Sequence, residues 1–108
     1  MSLKGKVAII TGTSRGIGRA IALTLATAGA TAIVNYASQV AKAQAVVEEI
    51  EQAGGEAIAL GGDMSKLAEI EALFAKTKEL YGHIDIVVHN AGDDRIAAEA
   101  ALSQSGLS

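Results

Sequence analysis

The chain has 108 residues, half of them apolar and only 3% aromatic, with a net charge of −3 and no cysteine. That length predicts a single domain with a modest core of small aliphatic contacts. The acidic balance argues against nucleic acid as a partner, because phosphate backbones are bound by basic surfaces. The missing cysteines exclude disulfides and thiolate metal sites. The opening MSLKGK and its short apolar run are too brief for a signal peptide or a membrane span. The expectation is a soluble, cytoplasmic protein that does not engage a membrane.

Lys6 to Thr11 is an apolar run ending at glycine, as a buried strand requires. From Ile17 to Ala28 the alanines, Ile17, Ile21 and Leu25 recur at helical spacing, and Gly29 supplies a stop. Thr31 to Tyr36 is again strand-like. Val40 to Ala53 puts Ala43, Val46, Val47 and Ile50 on one helical face, and the glutamates Glu48, Glu49 and Glu51 read as a solvated one. Ala57 to Leu60 predicts a short strand closed by Gly61-Gly62-Asp63. Ser65 is placed to cap a helix in which Leu67, Ile70, Leu73, Phe74 and Leu80 share a face. Gly82 breaks that helix, and Ile84 to Val88 predicts a fourth strand. Asp85 within it reads as an edge or structural carboxylate.

This β-α alternation, with strands apolar on both sides, predicts a parallel sheet covered by helices. Right-handed crossovers then favour an α/β doubly wound sheet in strand order 3-2-1-4. Beyond residue 92 the pattern changes. Asp93 or Asp94 could cap a short alanine-rich helix from Arg95 to about Leu102, or residues 93–108 could form a weakly ordered tail. The predicted organisation is therefore one unit over residues 1–92 and a divergent tail over 93–108.

The chemistry concentrates at T-G-T-S-R-G-I-G, residues Thr11 to Gly18. At a strand-to-helix junction, Gly12 permits the tight turn, Gly16 lets the backbone approach a pyrophosphate, and Gly18 lets the helix pack close to the sheet. The free N–H groups at the start of that helix, with its positive dipole end, suit an anion. A ligand-free glycine turn is the plain alternative. A Walker-type loop is excluded, because no lysine followed by Ser or Thr comes after the last glycine.

T-G-T-S-R-G-I-G resembles the T-G-x-x-x-G-x-G signature of the short-chain dehydrogenase/reductase family. H-N-A-G at His89 to Gly92 is similar to that family's N-N-A-G motif after the fourth strand. Asp63, after the third strand, matches the acidic residue that meets the adenine ring in the family. The resemblance covers residues 3 to 92, with 3-oxoacyl-carrier-protein-reductase-like members nearest. It implies a Rossmann-like half-fold and a dinucleotide cofactor held by Gly12, Ser14, Arg15, Gly16, Ile17, Gly18, Tyr36, Ser38, Asp63, Met64, Asn90, Ala91 and Gly92. His89 replaces the first asparagine of the motif, which puts that residue's sheet-bridging bond in question.

The choice of dinucleotide turns on the end of the second strand, which reads Val34-Asn35-Tyr36-Ala37-Ser38 with no acid. An acid there would bind the ribose hydroxyls of NAD and repel a 2′-phosphate. Arg15 can offer a guanidinium to that phosphate, and Ser38 a hydroxyl. The expectation is NADP(H) ahead of NAD(H).

The family's proton chemistry uses an upstream serine and a Y-x-x-x-K pair. Tyr36 is followed four residues on by Val40 and Tyr81 by Asp85, so this sequence contains no such pair and no catalytic residue is assigned. Ser103, Ser105 and Ser108 have no activating partner nearby in sequence. Neither His83 nor His89 has a companion at metal-ligand spacing, and no metal site is assigned. Two readings stand: a truncated, catalytically incompetent NADP(H)-binding portion of a carbonyl/hydroxyl oxidoreductase, or a non-enzymatic nucleotide-binding or self-assembling module. In either case the fourth strand is expected to be an apolar edge that is covered, either by self-association of chains across it or by the tail folding back.

Overall fold

The computed structural model describes residues 2–12 and 16–89. Four strands, β1 (Val7–Ile10), β2 (Thr31–Tyr36), β3 (Glu56–Gly61) and β4 (Ile86–Val88), alternate with three helices, α1 (Gly16–Thr27), α2 (Val40–Gln52) and α3 (Leu67–Tyr81). The strands form one parallel sheet in the order β3-β2-β1-β4. This is the doubly wound, Rossmann-like arrangement predicted from the alternation. The tail predicted over 93–108 lies outside the described residues.

Strand periodicity divides the core in two. Ala8, Ile10, Ala32, Val34 and Ala57 point to one face and meet α1 and α2. Val7, Ile9 and Ile33 point to the other and meet Ile70, Leu73 and Phe74 of α3, with Met64 and Ile84. Successive side chains on a strand face opposite sides, so each buried strand feeds both compartments. The face under two helices is built mainly from alanine and valine, and the face under one helix from isoleucine, leucine and phenylalanine. Small residues let a helix pair sit close to the sheet, whereas bulkier ones fill the space beneath a single helix.

Several expectations require correction. The buried stripe of α1 is Gly18, Ala22 and Ala26, while Ile17 is 69% exposed and Ile21 and Leu25 are half-buried. The helix approaches the sheet on its smallest side chains, so the large residues flank the contact. On α3, Ile70, Leu73 and Phe74 are buried as expected, but Leu67 and Leu80 are exposed and Thr77 takes an interior place. The Thr77 hydroxyl donates to the Leu73 carbonyl at 2.8 Å, which satisfies it inside the core. Ser65 does not cap α3: Lys66 holds the cap position, with no side-chain bond, and the Ser65 hydroxyl is turned to Asp63 instead.

The fourth strand begins at Ile86 rather than Ile84. The reason is local. Asp85 N–H donates to the Val7 carbonyl at 2.9 Å, while the Asp85 carboxylate accepts the Val7 N–H at 2.8 Å. A side chain thus takes the place of a ladder carbonyl at the start of the strand. Asp85 is a structural carboxylate, as its sequence position suggested.

Candidate functional site

All four strands run in parallel, so the segments that follow them meet at one end of the sheet. These are Thr11-Gly12 after β1, Ala37-Ser38 after β2, Gly62-Asp63-Met64 after β3 and His89 after β4. The crossover from β1 leads through α1 to β2 on one side, whereas the chain returns through α3 to β4 on the other. The crevice of a doubly wound sheet lies at such a switch point. The glycine loop stands there.

Gly12 is half-buried with φ +69°, a left-handed conformation that a side chain disfavours. Gly16 opens α1 at the surface, and a Cβ placed on it would meet nothing within 4 Å among the described residues outside its own stretch of chain. The first turn of α1 carries no acidic side chain to oppose an anion, and its first N–H groups have no partner within the helix. Gly18 is buried beneath them against the sheet. These features fit a dinucleotide's diphosphate. Ser14 and Arg15 lie outside the described residues, as do Asn90, Ala91 and Gly92.

On the adenosine side, Ser38 is exposed and Tyr36 half-buried. The Tyr36 ring lies against Gly61, where an added Cβ would come within 3.2 Å of it. Asp63 Oδ1 accepts the Ser65 N–H at 2.9 Å and the Ser65 hydroxyl at 2.6 Å. These two bonds, the side-chain one first, hold the Asp63 carboxyl below the usual carboxylate range, with the Lys66 ammonium adding to them. Asp63 is therefore an anion at neutral pH. Met64 is 4% exposed, with its side chain in the α3-side core, so only its backbone can face a ligand.

Thr11 and His89 join the ends of β1 and β4. The Thr11 hydroxyl lies 3.1 Å from His89 Nδ1, and the Thr11 N–H donates to the Val88 carbonyl at 3.0 Å. A bridge between these strands is thus made by histidine in the place of the asparagine. His89 Nε2 is buried and has no hydrogen-bond partner among the described residues.

Sequence reasoning passed over Asn35. It is 3% exposed, and its carboxamide reaches the carbonyls of Leu60 and Gly62, both at 3.2 Å. The available signal was a lone amide in the otherwise apolar strand T-A-I-V-N-Y. At the opposite end of the sheet, a shallow depression bounded by Leu23, Thr27, Ile50 and Gly55 contains no charged side chain and is remote from these strand ends. Among the described residues, no helix is long and apolar enough to cross a membrane.

A sequence model described as short chain dehydrogenase matches residues 6–106. The chain is 47% identical over 103 residues to the hydroxynaphthalene reductase-like protein Arp2 of Metarhizium acridum, covering 95% of this chain and 39% of that protein. It is 51% identical over 88 residues to the tetrahydroxynaphthalene reductase PfmaG of Pestalotiopsis fici, covering 82% of this chain and 32% of that one. The chain thus spans well under half the length of these curated relatives. Among solved structures, a dehydrogenase/reductase from Sinorhizobium meliloti superposes with a TM-score of 0.88 at 37% identity, over 95% of this chain and 50% of that one. A metagenomic short-chain oxidoreductase in complex with NADP gives 0.86 at 35% identity, over 95% and 56%. With the glycine loop at the switch point of a 3-2-1-4 sheet, these matches establish that the chain belongs to the short-chain dehydrogenase family of oxidoreductases.

Proposed function

We propose that this chain is the NADP(H)-binding portion of an oxidoreductase that acts on a carbonyl or hydroxyl substrate. The observation that carries the reading is the space that the described residues leave open above Gly16 at the start of α1, together with the left-handed turn at Gly12 where β1 ends. The main-chain N–H groups of Gly16, Ile17 and Gly18 bind the diphosphate, and Gly12 keeps the turn free of a side chain. Arg15 and Ser38 take the 2′-phosphate, Tyr36 flanks the adenosine, and Asp63 meets the adenine. The backbone at Met64 completes that rim, and Asn90, Ala91 and Gly92 lie along the nicotinamide-side ribose. When bound, the nicotinamide supplies a transferable hydride.

The proton-handling serine and Y-x-x-x-K pair are not among these residues. The chain as given holds and orients the cofactor without turning over a substrate. Residues 1–92 act as the binding unit, in the cytoplasm. NADP-bound crystals of a family member with this fold support the cofactor assignment by analogy. β4 has no sheet partner on its outer side among the described residues, which supports self-association along that edge.

The test is parallel titration of the purified chain with NADPH and NADH. Tighter binding of NADPH is expected, and tighter binding of NADH would reject the cofactor assignment. A hydride-transfer assay with NADPH and an acetoacetyl substrate should stay at background. Turnover that is abolished by a mutation within residues 1–108 would reject the claim that the chain lacks the proton chemistry.

A further inference from the structure

We infer that Asn35 is a positioning residue for the adenine side of the site: its buried carboxamide ties the end of β3 to β2 and thereby fixes where Asp63 stands. The inference rests on the dinucleotide-binding reading given above and extends it to a residue outside the contacts proposed there.

An amide in an apolar strand is costly to bury unless its hydrogens are used. Asn35 Nδ2 carries two hydrogens and lies 3.2 Å from each of two carbonyl oxygens, those of Leu60 and Gly62, with the Tyr36 carbonyl at 3.5 Å. Both hydrogens have an acceptor on β3 or just beyond it. The regular ladder between β2 and β3 ends at Tyr36 and Gly61, followed by one more bond from the Gly62 N–H to the Tyr36 carbonyl at 2.9 Å. Asn35 thus extends the strand pairing by a side-chain clamp, at the point where the backbone leaves the sheet to form the Gly62–Ser65 turn.

A second anchor lies on the far side of this turn. The Asp63 N–H donates to Glu69 Oε1 of α3 at 2.8 Å. Gly62 is therefore held from β2 and Asp63 from α3. Little freedom remains: a Cβ at Gly62 would stand 3.1 Å from the Met64 methyl and 3.4 Å from the Glu69 carbonyl. The carboxylate that reads the adenine projects from a turn whose first two residues are each fixed by a side chain from a different element. Loss of either anchor lets Asp63 shift while leaving its chemistry intact.

Base discrimination tests this directly. The chain is titrated with NADP and with its hypoxanthine analogue, which carries an oxo group where adenine has the amino group facing Asp63. The unmodified chain should favour the adenine form by about tenfold or more, as expected for one charge-assisted hydrogen bond. In Asn35→Ala the preference should fall to within about twofold, with the hypoxanthine form bound as before. In the ligand-free variant, amide hydrogen exchange at Asp63 and Ser65 should accelerate. A preference that survives intact in Asn35→Ala overturns the inference alone. If that variant does not fold, Asn35→Leu, which keeps nearly the same size and has no donor, decides the matter: lost discrimination supports the positioning role and kept discrimination removes it. An unmodified chain that binds neither dinucleotide overturns the underlying reading and the inference together.

Discussion

Asp85 and Val7 hold each other by two hydrogen bonds of opposite sense, the Asp85 N–H to the Val7 carbonyl at 2.9 Å and the Val7 N–H to Asp85 Oδ2 at 2.8 Å. His83 Nε2 stands 3.0 Å from the same carboxylate oxygen and 3.0 Å from the Gly5 carbonyl. Both neighbours are acceptors, so that nitrogen carries the proton. The group fastens the start of β4 to the start of β1, residues 78 apart in sequence. Removing the acceptor in Asp85→Ala leaves a part-buried N–H open and should cost about 1–3 kcal/mol. Asp85→Asn, which keeps an acceptor oxygen, should cost less. Urea unfolding measures both, and an unchanged midpoint in Asp85→Ala would show that the pair contributes nothing.

Gly29 separates stability from binding. Its φ is +109°, and a Cβ would sit 2.9 Å from the Lys4 nitrogen and 3.1 Å from the Lys4 Cα, both main-chain atoms. Gly29→Ala therefore combines a disfavoured backbone conformation of about 1–2 kcal/mol with a contact that no rotamer change relieves. Thermal unfolding should shift down by several degrees. The residue lies at the far end of α1 from the glycine loop, so NADPH affinity of the folded protein should be unaltered. A fall in affinity without a fall in stability would contradict this division.

Arg15 decides the cofactor preference in the proposed site. Arg15→Ala should weaken NADPH binding by tenfold or more, as expected for about 1.5–3 kcal/mol of charge-assisted hydrogen bonding. NADH, which lacks the 2′-phosphate, should change by less than about twofold. Added salt should narrow the gap between the two dinucleotides in the unmodified chain, because the contact is ionic. Equal losses for both ligands would place Arg15 outside the 2′-phosphate contact.

Asp63 and Ser65 make a pH prediction whose sign is fixed. The folded carboxyl is held below its ordinary value, so its stabilising contribution is complete above the unfolded value of about 3.9. It disappears as pH falls further, through the lowered folded value. Ser65→Ala removes the hydroxyl bond, the largest cause of the lowering, and the Asp63 titration should move up towards the ordinary carboxylate. Carbon-detected NMR of the side chain follows it. An Asp63 curve unmoved by the mutation would show that the hydroxyl does not set it.

At the alkaline end, Tyr81 behaves in the opposite sense. Burial, then the nearby charge of Glu56, pushes its phenol above the usual range. Its contribution is present below the unfolded value of about 10 and is lost as pH rises through the higher folded one. Glu56→Gln should bring the Tyr81 titration down, read by phenolate absorbance in a Tyr36→Phe background. A titration that rises or stays in place would exclude Glu56 as a cause.

The order of elements and of strands was legible because both are written in local pattern. Apolar runs of strand length alternate with helical spacing, and glycine marks most of the breaks. The inner face of α2 was equally plain: Ala43, Val46, Val47 and Ile50 are all buried. On α1 hydrophobicity misled, since the contact selects small residues and leaves Ile17 outside. Ser65 misled for a related reason. A serine before a helix suits a cap, but Asp63 two residues earlier offers its hydroxyl a charged acceptor. Asn35 was hidden because its partners lie 25 and 27 residues further along the chain, on a strand that becomes its neighbour only in the sheet.

The two-sided core has a mechanical consequence. Val46 and Leu73 belong to separate apolar clusters, divided by the thickness of the sheet. A hole made on one side cannot be filled by side chains from the other, since only main chain lies between. Damage should therefore stay insulated, and the stability losses of Val46→Ala and Leu73→Ala should sum in the double variant to within about 0.5 kcal/mol. A sheet built this way isolates its two flanks from each other's errors while the strand ends, where the ligand would lie, depend on both.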